Sequence, residues 1–277
     1  MNPSGLKTRA EILVLLPLIL NFSSLGTEPP SGDLDQSFKF IQISDLHLCG
    51  EEDAENFSLD YDPSATFTFL LKEIWDVGDF VVNTDDILLC GDLATIAKGV
   101  EWYRHYLSSL TYADKIVYPI IGNHDVIGVY NLLADPCDPL YGKGAFELFF
   151  GRTYRSVHYG GYDLIFLDPI QIVDRKIIYR LDEEQLNWLN EFRGKRLIFT
   201  HIPTPQIENW DKVTWEGSYT IFSGHWHMPV ELENEHVCGA VSGAWWRQES
   251  GYSHGYYVVT VGDEVSCEWV RIEPIPR

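Results

Sequence analysis

Gly122-Asn123-His124-Asp125 is the stretch of this sequence that decides the fold. It follows the apolar run 116–121, which is typical of a buried strand, and a glycine permits a sharp exit from such a strand. In open α/β sheets, ligands bind beyond the carboxyl ends of the strands. An Asn-His-Asp turn by itself is often only a capped loop, so the interpretation depends on whether other strands end in the same way.

Four further apolar runs also lead to side chains that bind metals. The runs 38–43, 87–90, 197–199 and 219–222 precede, in that order, Asp45 with His47, Asp92, His201, and His225 with His227. The second run predicts a strand over residues 86–90 that delivers Asp92. Because five predicted strand ends carry the same kinds of side chain, we expect an α/β fold with a metal site where these strands end.

The predicted metal ligands are seven side chains: Asp45, His47, Asp92, Asn123, His201, His225 and His227. Residues i and i+2 of an extended segment point the same way, so Asp45 and His47 are expected to bind one ion together. Carboxylate, amide and imidazole ligands favour Zn, Mn or Fe over metals that prefer thiolate. So many ligands exceed what one catalytically open ion needs. They therefore predict two divalent or transition-metal ions that share a carboxylate.

A pair of ions about 3.5–4 Å apart suits the hydrolysis of phosphate esters, because it contacts both the attacking and the leaving oxygen of an in-line displacement. In this interpretation a hydroxide held between the ions is the nucleophile. His124 is the one motif histidine that is not assigned to a metal. It is therefore predicted to be the general acid that protonates the leaving group, with Asp125 orienting its ring.

These blocks resemble, in the family's order and over residues 38–230, the calcineurin-like metallophosphoesterase superfamily. The resemblance implies an α/β protein built as a four-layer α/β/β/α sandwich with two mixed β-sheets. It implies one ion held by Asp45, His47, Asp92 and His227, and a second held by Asp92, Asn123, His201 and His225. Asp92 would then be the shared carboxylate, and Asn123 and His124 would contact the substrate phosphate.

Three later segments resemble the branch of that superfamily that contains the class III cyclic nucleotide phosphodiesterases. They are Phe150-Gly151-x-x-Tyr154, Ile165-Phe166-Leu167-Asp168 and Gln185-x-x-Trp188-Leu189. This resemblance favours a phosphodiester substrate, and a phosphomonoester substrate stays open as the alternative. One departure from the family pattern is Thr95, because many members carry an acidic residue three positions after the Gly-Asp pair.

Composition limits the partners that this protein can have. The chain has 277 residues, of which 20 are Lys or Arg and 41 are Asp or Glu, so its formal net charge is −21. Binding to a nucleic-acid polymer depends on cationic side chains that neutralise phosphates, so we expect a small phosphoester substrate instead. The length after a leader fits one domain, which we place at residues 37–277. The sequence does not indicate an oligomeric state.

The N-terminal residues are typical of a secretory signal. Lys7 and Arg9 are followed by the apolar run 12–20 and then by a small-x-small site that ends at Gly26. Nine apolar residues are too few to span a bilayer, which needs about 20. We therefore predict a signal peptide over residues 1–26, a disordered lead over 27–36, and export to the periplasm or the extracellular space.

Two weaker hypotheses concern substrate contacts and the class of protein. Trp245 could stack on a ring of the substrate or could cover the edge of the sandwich, and Arg247 could contact the substrate phosphate or be a surface arginine. A metal-bound protein without catalytic activity is the rival class. The presence of both a shared carboxylate and His124 favours a metal-dependent phosphoric ester hydrolase over that rival.

Overall fold

The computed structural model of this chain describes residues 37–56, 59, 61–113, 115–214, 216–242 and 254–277. The predicted signal peptide 1–26 and the lead 27–36 lie outside the described residues, as do Trp245 and Arg247. Among the helices of the described segments, none is long and apolar enough to cross a membrane.

The described residues form thirteen strands and five α-helices. The strands are β1 Phe38–Ile43, β2 Phe80–Thr84, β3 Ile116–Ile120, β4 Arg155–Tyr159, β5 Tyr162–Phe166, β6 Ile170–Val173, β7 Lys176–Tyr179, β8 Arg196–Phe199, β9 Tyr219–Ser223, β10 Val230–Leu232, β11 Glu235–Val237, β12 Gly255–Val261 and β13 Val265–Arg271. The helices are α1 Glu51–Asn56, α2 Pro63–Glu73, α3 Ile96–Leu110, α4 Gly144–Phe150 and α5 Glu183–Leu189.

Eleven of these strands form two large sheets. The first sheet has the order β13-β12-β1-β2-β3, and the second has the order β10-β11-β9-β8-β5-β4. In the first sheet β1, β2 and β3 are parallel while β12 and β13 are antiparallel to their neighbours. The second sheet likewise combines a parallel centre, β5-β8-β9-β11, with an antiparallel strand at each edge. Both sheets are therefore mixed.

Alternation of side chains along the strands explains the layers. Phe40 and Val82 point towards the second sheet and pack with Phe199 and Phe222 in an interior that is largely aromatic. The intervening residues point the other way and pack with the helices, as Ile41 does. Successive side chains of a strand lie on opposite faces, so both faces of each sheet can be buried. The predicted α/β/β/α sandwich with two mixed sheets is confirmed.

The second strand does not lie where the sequence predicts it. The structure places β2 at Phe80–Thr84 and leaves residues 86–90 outside any strand. Both segments are apolar and buried, so hydrophobicity alone does not distinguish them. Residues 86–90 run beside the loop after β1. There, Leu48 N donates to Ile87 O at 2.7 Å, and Leu89 N donates to Leu48 O at 3.1 Å. As a result, Asp86 rather than Asp92 follows β2 closely.

Candidate metal centre

The loops that follow five parallel strands converge at one end of the sandwich. Strands β1, β2 and β3 run parallel in the first sheet, and β8 and β9 run parallel in the second. The carboxyl ends of parallel strands meet at one edge of a sheet, so the loops after them lie together. These loops carry, in chain order, Asp45 and His47, Asp85 and Asp86, Asn123 and His124, His201, and His225 and His227.

Asp45, His47 and His227 form the first group of potential ligands, and all three are buried. The Nε2 atoms of His47 and His227 lie 3.3 Å apart, and Asp45 Oδ1 lies 3.1 Å from His227 Nε2 and 3.9 Å from His47 Nε2. Metal–nitrogen bonds of about 2.0–2.1 Å in tetrahedral geometry place ligand atoms roughly 3.4 Å apart. The spacing of this group therefore suits a transition-metal ion.

Asp86, His201 and His225 form the second group. Asp86 Oδ2 lies 3.1 Å from His201 Nε2, which is 3.2 Å from Asn123 Oδ1. The other ring nitrogen, His201 Nδ1, lies 3.0 Å from the Thr84 carbonyl oxygen. Because Nδ1 must carry a proton to donate to a carbonyl, this contact directs Nε2 towards the group, where it can bind a metal once it loses its own proton.

The chemistry of these residues fits bound cations. Asp45 Oδ1 and Asp86 Oδ2 are fully buried and make no well-directed hydrogen bond, although each lies near an imidazole. Buried carboxylates are costly unless they are paired or coordinate a metal. Burial, reinforced by the charge of His227, lowers the pKa of His47 to about 3, which keeps its ring in the neutral form that binds metals.

The histidines of the second group differ in charge. Burial and the charge of His201 lower the pKa of His225 to about 4. Burial also opposes a charge on His201, but the carboxylate of Asp86 outweighs it and raises the pKa of His201 to about 10. Binding of a metal at His201 Nε2 would therefore release a proton from that ring.

The sequence analysis assigned a ligand role to Asp92, but the aspartate that lies in the second ligand group is Asp86. Its Oδ1 accepts a hydrogen bond from His124 N at 2.6 Å, while Oδ2 faces His201. Burial opposes the charge of Asp86, but the charges of His201, His124 and His47 lower its pKa well below the usual value. Because β2 ends at Thr84, the ligand-group aspartate that follows the end of this strand is Asp86. The prediction of Asp92 depended on a strand over residues 86–90, which the structure does not contain.

Asp92 belongs to a different part of the site. Its Oδ1 lies 2.7 Å from His124 Nδ1, so it pairs with the imidazole rather than joining either ligand group. Burial alone would disfavour a charged ring, but Asp86 and the hydrogen bond with Asp92 raise the pKa of His124 to about 9. The ring is held through Nδ1, which leaves Nε2 for contact with a substrate.

Asp125 does not orient His124, contrary to the sequence-based expectation. Its side chain is fully buried and accepts hydrogen bonds from Gly122 N at 2.9 Å and from Leu88 N at 3.1 Å. The residue therefore joins the loop after β3 to the segment after β2.

Thr95, where the family pattern has an acidic residue, caps helix α3, because its hydroxyl accepts from Lys98 N at 3.3 Å.

The backbone at four of the ligands is left-handed. Asp45, His47, His225 and His227 have φ angles of 54°, 47°, 69° and 57°. The expectation that Asp45 and His47 share an extended segment is therefore wrong. Residues other than glycine rarely adopt such angles, which cost about 1–3 kcal/mol each and persist where surrounding structure enforces them. Strain of this kind clusters at functional sites, in agreement with a built metal centre.

Glycines of the motifs allow the loops to approach the ligands. A β-carbon at Gly122 would clash with the Asp85 carbonyl and with Asp86 Oδ1, and one at Gly224 would clash with Ser44 Oγ. Gly122 has φ −101°, which any residue can adopt, so space rather than backbone freedom requires glycine there.

Comparisons with known proteins agree with this geometry. The calcineurin-like phosphoesterase family matches residues 38–229. The chain is similar to the serine/threonine-protein phosphatase CPPED1 of Bos taurus, with 26% identity over 208 residues, and to that of Rattus norvegicus, with 25% identity over 210 residues. Each match spans 64% of this chain and 64% of the relative's length.

One solved structure, the purple acid phosphatase PPD1 of yellow lupin (Lupinus luteus), superposes with a TM-score of 0.51 at 11% identity. The superposition covers 86% of this chain and 52% of that one, and it is a likeness of fold alone.

Proposed function

This chain belongs to the calcineurin-like phosphoesterase family, and from that premise we propose that it hydrolyses a phosphate ester at a centre of two divalent metal ions. The observation that carries the proposal is the pair of ligand groups, Asp45 with His47 and His227, and Asp86 with His201 and His225. A single structural ion would need only one such group, and the second group with Asp86 between them is typical of two-metal hydrolases.

The proposed ligand sets follow from the distances. Asp45, His47 and His227 would hold the first ion, and Asn123, His201 and His225 would hold the second. Asp86 would contribute to both sets, replacing Asp92 in the assignment made from sequence. When bound, two such ions supply an activated water and neutralise charge on the phosphoryl oxygens. The metal could be Zn, Mn or Fe, since these ligand types suit all three.

His124 is the proposed general acid. Asp92 fixes the orientation of its ring through Nδ1, and both Asp92 and Asp86 favour its protonated form. A protonated imidazole can donate from Nε2 to the oxygen of a departing alkoxide, which is the role of a general acid. His124 thus keeps its predicted role as the general acid. Asp92, rather than Asp125, orients its ring.

A phosphodiester is the proposed substrate, and a phosphomonoester is the second candidate. The segments that resemble class III cyclic nucleotide phosphodiesterases favour the diester, and membership of that branch stays a prediction. The similarity to two proteins named serine/threonine-protein phosphatase favours a monoester. With a formal net charge of −21, the chain favours a small ester over a nucleic-acid polymer.

A panel of esters tests the function and separates these candidates. Metal-loaded protein is assayed with bis-aryl phosphate, aryl monophosphate, a cyclic nucleotide and a phospholipid diester. We expect turnover of a diester that a chelator abolishes and added metal restores. Cleavage of monoesters alone would reject the diester preference. Stoichiometric metal without turnover of any ester would favour the rival class, a metal-bound protein that is not an enzyme.

Export of the protein is a separate proposal that depends on the N-terminal sequence pattern alone. Cleavage after the small-x-small site would make the mature chain begin near Thr27. Sequencing of the N-terminus of protein purified from its native source tests this. An intact Met1 on protein recovered from the cytosol would contradict it.

A further inference from the structure

The hairpin formed by β6 and β7 places one tyrosine beside the metal centre. Tyr179 is the last residue of β7 and pairs with Ile170, which is fully buried at the start of β6. The Tyr179 carbonyl also accepts a hydrogen bond from Glu208 N at 2.9 Å. The backbone of Tyr179 is therefore held from two sides, and its side chain has a defined position.

The Tyr179 ring lies directly against a proposed ligand. Its centroid is 5.6 Å from that of His225, and the two rings meet edge to face at 78°. His225 belongs to the second ligand group, so the phenol ring lies beside the proposed metal centre.

The Tyr179 hydroxyl makes no hydrogen bond with the described residues, and its oxygen is not fully buried, so a bound molecule can reach it. The neighbouring Tyr130 differs, because its hydroxyl accepts a hydrogen bond from Ile177 N at 3.3 Å and so supports the hairpin. The nearby carboxylates contact other groups: Asp92 Oδ1 lies against His124 Nδ1, Asp86 Oδ1 accepts from His124 N, and Asp86 Oδ2 lies 3.1 Å from His201 Nε2. The Tyr179 hydroxyl is therefore free to donate to a molecule bound at the centre.

We propose that the Tyr179 hydroxyl donates a hydrogen bond to a non-bridging oxygen of the phosphoryl group bound at the metal centre. This inference rests on the proposed phosphoesterase function. Phosphoryl oxygens only accept hydrogen bonds, and a phenol provides a donor without adding a charge. A donor fixed in place before the substrate binds stabilises negative charge on the phosphoryl oxygens with little reorganisation. Nothing in the sequence pattern around Tyr179 indicates this role.

Binding of inorganic phosphate to the metal-loaded protein tests the proposal without requiring turnover. Tyr179→Phe removes one oxygen atom and keeps the ring that packs against His225. We expect both metals to be retained and phosphate to bind about 10- to 100-fold more weakly, because a hydrogen bond to a charged group has that effect. Tyr154→Phe is the matched control. It removes a hydroxyl that donates to Glu184 at 2.8 Å on the surface, and it should leave phosphate affinity unchanged.

The outcomes separate this inference from the proposed function. Unchanged phosphate affinity in Tyr179→Phe overturns the role of Tyr179, whether or not the wild type hydrolyses esters. Loss of metal in the same variant also overturns it, because the ring would then act only by supporting His225. Weaker phosphate binding with full metal content supports the role even if the wild type cleaves no ester, in which case the proposed function alone fails.

Discussion

Asp92 Oδ1 lies 2.7 Å from His124 Nδ1, and this contact separates the residues that would bind metal from those that would move a proton. Asp86 belongs with the candidate metal ligands, because its side chain faces His201 in the second group. The two aspartates are six positions apart in the sequence, and both are buried. They are chemically identical, so only their positions distinguish their roles.

Replacing the two aspartates should therefore give different results. We expect Asp86→Ala to lose most bound metal and all activity, because it removes the carboxylate that is proposed to contact both ions. Asp92→Ala should keep both metals and lose turnover by about 10²-fold, since an unoriented general acid loses most of its contribution. Elemental analysis with steady-state kinetics measures both effects. Asp76→Ala, at an exposed position, is the control. Loss of metal in Asp92→Ala would indicate that Asp92 is itself a metal ligand, as predicted from the sequence.

The role of His124 predicts a dependence on the leaving group. We expect His124→Ala to keep both metals and the fold but to lose about 10²–10⁴-fold in turnover of esters with poor alkoxide leaving groups. An activated aryl ester, whose leaving group hardly needs a proton, should show a much smaller loss. Rates for a series of esters of increasing leaving-group pKa measure this. Equal losses across the series would limit His124 to contacting phosphate.

A change at Gly122 should damage the metal centre through packing alone. The added methyl of Gly122→Ala would meet the Asp85 carbonyl and Asp86 Oδ1, so the shared carboxylate must move. We expect metal affinity to fall by at least about tenfold and the free energy of unfolding to fall by about 1–3 kcal/mol. Gly262→Ala is the control, because the nearest atom to its new methyl is Ser37 Cβ at 3.8 Å. Equal metal affinity in both variants would show that the loop after β3 can adjust.

Removal of metal should lower the thermal stability of the wild type. Ions that bind only the folded state stabilise it by mass action, by about 2.7 kcal/mol at a metal concentration 100 times Kd. We expect a chelator to lower the unfolding midpoint of the wild type and of His124→Ala by similar amounts. The midpoint of Asp86→Ala should respond little, because its metal is already lost. Calorimetry with and without metal measures these shifts, and a wild type indifferent to chelator would argue against a metal centre.

Strand periodicity explains which parts of the fold the sequence predicts well. Runs such as 38–43 and 219–222 are mostly apolar because both faces of each sheet are largely buried, and both proved to be strands. The run 87–90 is also apolar, and its first three residues are fully buried, yet it is not a strand. Its backbone hydrogen-bond partners lie in the loop after β1, and the neighbouring residues in the sequence do not indicate that pairing.

The sequence by itself indicated the family, the fold class and six of the seven residues in the two proposed ligand sets, because metal-binding side chains follow strand ends in a fixed order. Only the tertiary structure decided that Asp86 joins a ligand group, that Asp92 contacts His124 and that Asp125 joins two loops. Those roles depend on contacts between segments far apart in the chain. The left-handed backbone at Asp45 and His47 also depends on the tertiary structure, because packing around the centre enforces φ angles that these residues rarely adopt alone.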